Sequence, residues 1–79
     1  MSVLTPAQCR AARAMLDASR EEVAEASKVS FATIRRHEQG LHPPVQPHTL
    51  RRIKSALEVM GAEFIEPNGV SLPAKSRAA

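Results

Sequence analysis

Apolar and small residues recur at three- and four-residue intervals through most of this chain, then give way to a short alternating stretch near its end. The helical spacing first appears at Cys9, Ala12, Met15 and Leu16, behind the opening Thr5-Pro6-Ala7-Gln8. Thr5 is placed to cap, Pro6 suits the first helical position and Gln8 completes a capping box, so a first helix runs from Pro6 to about Leu16. Its four alanines favour helix and let neighbouring helices approach closely. Ser19 with Glu22 repeats the capping-box signature, and Val23, Ala24 and Ser27 share one face of a second helix that begins at Arg20. Ser27-Lys28-Val29 is then a tight turn plugged by Val29, and Ser30 caps a third helix from Phe31 to about Gln39, stopped by Gly40. Leu41 to Pro47 holds three prolines in seven residues, which excludes helix and central strand. Leu50, Ile53, Leu57 and Met60 form the stripe of a fourth helix, from about Pro47 to Met60 and ended by Gly61. Ala62 to Glu66, Pro67-Asn68-Gly69 and Val70 to Leu72 read as strand, turn and second strand.

The third helix has two unlike faces. Ile34, His37 and Glu38 fall on one side; Ala32, Arg35, Arg36 and Gln39 fall on the other. A face with a small residue, two arginines and an amide can enter a major groove, where arginine bonds guanine bidentately and glutamine suits adenine or a phosphate. Two short helices joined by a tight turn, the second with such a face, form the pattern of a DNA-binding helix-turn-helix.

Ser19, Glu22, Val23-Ala24, Val29-Ser30, Thr33-Ile34, Glu38 and Gly40 together resemble the XRE/Cro-repressor family of helix-turn-helix regulators, over roughly Leu4 to Met60. Two positions depart from it. Lys28 stands where the family usually has glycine, so either it takes a positive φ at some cost or the turn relaxes. Arg20 stands where the family often has glutamine. The resemblance implies an all-α, four- to five-helix repressor-like domain with a short C-terminal β-strand or hairpin. It also implies base contacts from the third helix, by Phe31, Ala32, Arg35 and Arg36. Phe31 has two other uses, packing back on the second helix or joining a dimer interface. Backbone contacts fall to Arg20, Ser30, Thr33, Gln39 and His42, with a pairing of Arg20 with Asp17 as the equal alternative for that residue. Arg13 is expected to pair with Glu38 as an exposed bridge that orients more than it stabilises.

The expected organisation is a helix-turn-helix domain over residues 1–61, a β element over residues 62–72 and a disordered tail over residues 73–79. A lone two-stranded hairpin is weak, which suggests that the strand pairs with its counterpart in a second copy. Phe64 and Ile65 are the candidate dimer contacts, and they point to opposite faces.

Charge sharpens the picture. The net charge is only +3, yet Asp17 to Glu25 carries four acids and one arginine, and Lys28 to Lys54 carries six bases and one acid. The basic segment includes the third helix and suits a surface that tracks phosphates. Tyrosine and tryptophan are absent and phenylalanine occurs twice, which speaks against single-strand recognition by stacking. The sole cysteine, Cys9, forms no internal disulfide and fits a reducing compartment. No stretch is long and apolar enough for a membrane span, so a cytoplasmic protein is expected. Cys9, His37, His42 and His48 fit no standard zinc spacing, and no phosphate loop, nucleophile motif or carboxylate pair stands out. No metal, no cofactor and no enzymatic activity are expected. The expected function is that of a transcriptional regulator, a homodimer binding an inverted repeat in double-stranded DNA. The alternative is an antitoxin or anti-activator whose main partner is another protein.

Overall fold

The computed structural model describes residues 3–73. It contains four helices and one antiparallel hairpin: α1 (Pro6–Leu16), α2 (Arg20–Ser27), α3 (Phe31–Glu38), α4 (Pro47–Met60), β1 (Glu63–Ile65) and β2 (Gly69–Ser71). The tail from residue 74 onward, expected to be disordered, lies outside the described residues. No described helix is long and apolar enough to cross a membrane.

Local chemistry sets the helix boundaries. Thr5 Oγ1 accepts from Gln8 N at 3.0 Å while Gln8 Oε1 accepts from Thr5 N at 3.0 Å. Ser19 and Glu22 make the same reciprocal pair at 3.0 and 2.7 Å. Each box satisfies two backbone donors that the first turn leaves open, and such a cap stabilises by about 1 kcal/mol. At the other ends, Asp17 (φ 56°) and Lys28 (φ 60°) take the left-handed conformation that closes α1 and α2. The turn at Lys28 does not relax: lysine adopts the positive φ that glycine would take at less cost. Helix α3 stops at Glu38, one residue short of expectation; Gln39 is its C-cap and Gly40 (φ 66°) turns the chain away.

The helices close on Leu4, Cys9, Ala12, Val23, Ile34, Ile53 and Leu57, with Ala18, Val29, Leu50 and Ala62 around them. Three positions differ from the expected pattern. Leu4, in the lead-in, is fully buried, and Met15, expected on the buried stripe of α1, is exposed. Gln8 takes the fourth inward place in its stead, beside Cys9, Ala12 and half-buried Leu16.

The hairpin completes this core. Phe64 stands opposite Val70 and both pack inward with Leu72, while Glu63 pairs with Ser71 and Ile65 with Gly69. The buried amide of Gln8 donates to the Gly69 carbonyl at 3.2 Å and reaches the Ile65 carbonyl at 3.5 Å. Thr5 Oγ1 meets Asn68 Oδ1 at the turn. Lys54 Nζ sits 5.7 Å from the Phe64 ring centre, close enough for a cation–π contact. Phe64, expected at a dimer interface, is thus occupied within its own chain; Ile65 is the member of that pair left half-exposed, at 51%.

Candidate nucleic-acid interface

The positions of α1, α2 and α3 relative to one another are set at Glu38. Its carboxylate is completely buried, on the inner face of α3. Arg13 from α1 grips it bidentately, Nε to Oε2 at 2.7 Å and Nη2 to Oε1 at 2.8 Å. Arg20 from α2 adds Nε to Oε1 at 2.9 Å, and the Cys9 thiol donates to Oε2 at 3.0 Å. Arg13 also reaches back to the Ala18 carbonyl at 3.2 Å, and Arg10 caps the end of α3 by donating to the Glu38 carbonyl. One carboxylate therefore ties three helices. Burial by itself would raise the Glu38 pKa. The hydrogen bonds from Arg13, Cys9 and Arg20, with the Arg13 charge, outweigh it and hold the carboxyl below its ordinary value. Hydrogen bonding to Glu38 raises the Arg13 pKa, and burial followed by the Glu38 contact pushes the Cys9 thiol up. The pair is not the exposed bridge expected from sequence: a buried carboxylate with this many donors is a structural centre.

With Ile34 and Glu38 turned inward, the opposite side of α3 faces solvent. Phe31, Ala32 and Arg35 are exposed there, and Gln39 and His42 follow in the exposed segment after the helix. Phe31 is not packed into the core; it borders a shallow concavity with Arg13, Ser19, Arg20 and Glu21, the place where α2 begins. The amides of Phe31 and Ala32 are first-turn donors at the positive end of α3 with no partner among the described residues. Ser30 Oγ accepts from Thr33 N at 3.1 Å and lies 2.8 Å from Thr33 Oγ1. Whichever hydroxyl donates within that pair, the other keeps its proton for an outside acceptor. Ser30 and Thr33 are caps first, and together they offer one O–H to a phosphate.

The arginines divide by how they are held. Arg35 has no hydrogen-bond or ion-pair partner among the described residues. Arg36 is half-buried and its Nε donates to the Pro43 carbonyl in the loop between α3 and α4, at 2.8 Å. Arg20 is anchored in the same fashion, Nε on Glu38, with its side chain a quarter exposed. Its pairing with Asp17, one of the two expected uses, does not occur. The Nε anchor and a phosphate contact are compatible, because the terminal nitrogens of Arg20 have no partner among the described residues.

Arg36, His37 and Gly40 line a concavity with His42 and Pro44 of the loop, and His37 Nε2 is 2.7 Å from the Leu4 carbonyl. That contact occupies His37 structurally. Among the described residues no three metal-ligating side chains converge. The sequence offered no sign of the Leu4–His37 contact, nor of Cys9 as a donor to Glu38, since both join positions far apart in the chain. Arg10 was readable in principle, as a cation one turn before Arg13 on α1.

A family model described as a helix-turn-helix domain matches residues 7–64, from the first turn of α1 to Phe64 in β1. No curated protein matches the chain.

Proposed function

The chain belongs to the helix-turn-helix domain family, a DNA-binding fold, and from that premise we propose that it is a sequence-specific transcriptional regulator of the XRE/Cro-repressor kind. Two copies bind an inverted repeat in double-stranded DNA, each laying α3 in the major groove. The observation that carries this reading is the solvent-facing side of α3. Phe31, Ala32 and Arg35 project together from a helix whose other side is locked by Ile34 and the buried Glu38. A rigid helix with a small residue at its approach point and cations beside it suits a major groove, where base edges and phosphates both lie within reach.

The remaining candidates fit phosphate positioning. Arg20 at the start of α2, the Ser30–Thr33 hydroxyl pair at the start of α3, and Gln39 and His42 beyond its end lie at the margins of that surface. Their contacts fix register without reading sequence. The second copy is met through the outer face of the hairpin, where Ile65 is the exposed apolar residue.

Binding of the purified chain to DNA in the presence of excess unrelated competitor tests the proposal. Retention on a selected subset of sequences at moderate salt supports it. Binding that is uniform among sequences and vanishes as salt rises is the electrostatic term alone and overturns it.

A further inference from the structure

Arg35 and Arg36 are neighbours of the same type on the same helix, yet only Arg36 is held. Its Nε–H is fixed on the Pro43 carbonyl at 2.8 Å, and its side chain is half-buried against the loop. A guanidinium is planar and carries five N–H groups in a rigid fork. Holding Nε restricts the guanidinium and leaves the terminal Nη1 and Nη2 pair available. Those two nitrogens have no partner among the described residues. They form an end-on fork, which matches the O6 and N7 acceptors that guanine shows in the major groove.

We propose that Arg36 is a pre-oriented guanine reader and that the Pro43 carbonyl is the positioning group that aims it, so the Leu41–Pro47 loop takes part in sequence discrimination without touching a base. This rests on the proposal that α3 enters the major groove. Arg35, free to sample its rotamers, must be ordered on binding and follows phosphate instead. Pre-ordering matters because a long side chain otherwise loses rotamer freedom on binding, and an unanchored fork can turn to accept a wrong partner. Three prolines stiffen the loop, and the carbonyl used is that of a proline between His42 and Pro44. The brace is therefore a backbone carbonyl in a proline-rich loop.

The test is selection of binding sites from random duplex DNA by four proteins: wild type, Arg36→Lys, Arg35→Ala, and a loop variant carrying Pro43→Gly with Pro44→Gly. Helix content is checked by circular dichroism in each. Wild type should select one guanine at a fixed place in each half-site. Arg36→Lys keeps the charge but loses the fork, so preference for that guanine should fall by about tenfold or more. The loop variant should retain DNA binding and lose most of the same preference, and adding Arg36→Lys to it should cost little more. Arg35→Ala should weaken binding to all sequences alike and flatten the salt dependence by about one phosphate contact. A guanine preference that survives in the folded loop variant overturns the bracing role. A preference lost with Arg35→Ala and kept with Arg36→Lys shows that the wrong arginine was assigned. Wild type that selects no sequence at all means that the DNA-reading proposal itself has failed.

Discussion

Glu38 is the residue on which the account depends most. An anion buried among two guanidiniums and a thiol is stable only as a complete set, because removing one member leaves the others with uncompensated charge. Glu38→Gln at pH 7 is expected to cost about 3 kcal/mol, a fall in Tm of roughly 15 °C for a domain of this size. The pH dependence has a definite sign. The folded carboxyl lies below its ordinary value, so its contribution is fully present above an unfolded pKa of about 4.3 and is lost as pH falls through the folded pKa. The stability gap between wild type and Glu38→Gln, read from thermal unfolding, should be flat from pH 5 to 8 and shrink below about pH 4. A gap that grows as pH rises above 6 would contradict this.

Lys28 carries the opposite kind of effect. It holds φ 60° in the turn between α2 and α3 with an exposed side chain. Glycine removes the left-handed penalty but adds unfolded-state freedom, leaving a net gain of about 0.5–1 kcal/mol for Lys28→Gly. A Tm raised by several degrees with unchanged DNA affinity is the expected result. A lowered Tm would mean that the lysine makes an interaction the turn needs.

At the scale of elements, the helices were legible in the sequence because each carries its own local signals. Thr5 with Gln8, Ser19 with Glu22, Ser30, Gly40 and Gly61 mark their ends, and the apolar spacing in α4 marks its inner face. What was not legible depends on contacts between distant parts. The burial of Gln8 goes with the hairpin, whose Gly69 and Ile65 carbonyls its amide reaches. Leu4 is buried in the common core, with its carbonyl against His37, which spacing within the lead-in cannot reveal. The hairpin itself was legible as strand, turn and strand, while its use was not: it is fastened to α1 as part of the core. Gln8→Ala should release it, since two carbonyls lose their buried donor. Amide exchange in residues 63–71 is expected to quicken about tenfold while α2 and α3 keep their protection. Equal quickening throughout would mean that the hairpin and helices open only together.

In the whole molecule, charge and shape bear on the proposed meeting of two copies on DNA. The inner face of α3 was readable as a pairing with Arg13 only by resemblance, and its burial was not readable at all. The outer face was readable directly, since Ala32, Arg35 and Arg36 recur at helical spacing; the hold of the loop on Arg36 was not, because it joins a side chain to a backbone carbonyl seven residues away. A two-fold pair reading an inverted repeat must present its α3 helices about 34 Å apart, one turn of the duplex. With Phe64 turned inward, Ile65 is the exposed apolar group of the hairpin on which the proposed pairing rests. Ile65→Lys should therefore leave the chain folded and shift it toward monomer in sedimentation. A dimer unaffected by this change would place the contact elsewhere.

The most direct test of the central claim is hydroxyl-radical footprinting of the chain on its best selected duplex, with competitor DNA present, comparing wild type with Arg36→Lys. Wild type should protect two half-sites whose centres lie about one helical turn apart, and Arg36→Lys should lose that pattern while still binding at low salt. Protection spread evenly along the duplex would contradict recognition through α3, and a discrete footprint that is the same in both proteins would contradict the assignment to Arg36.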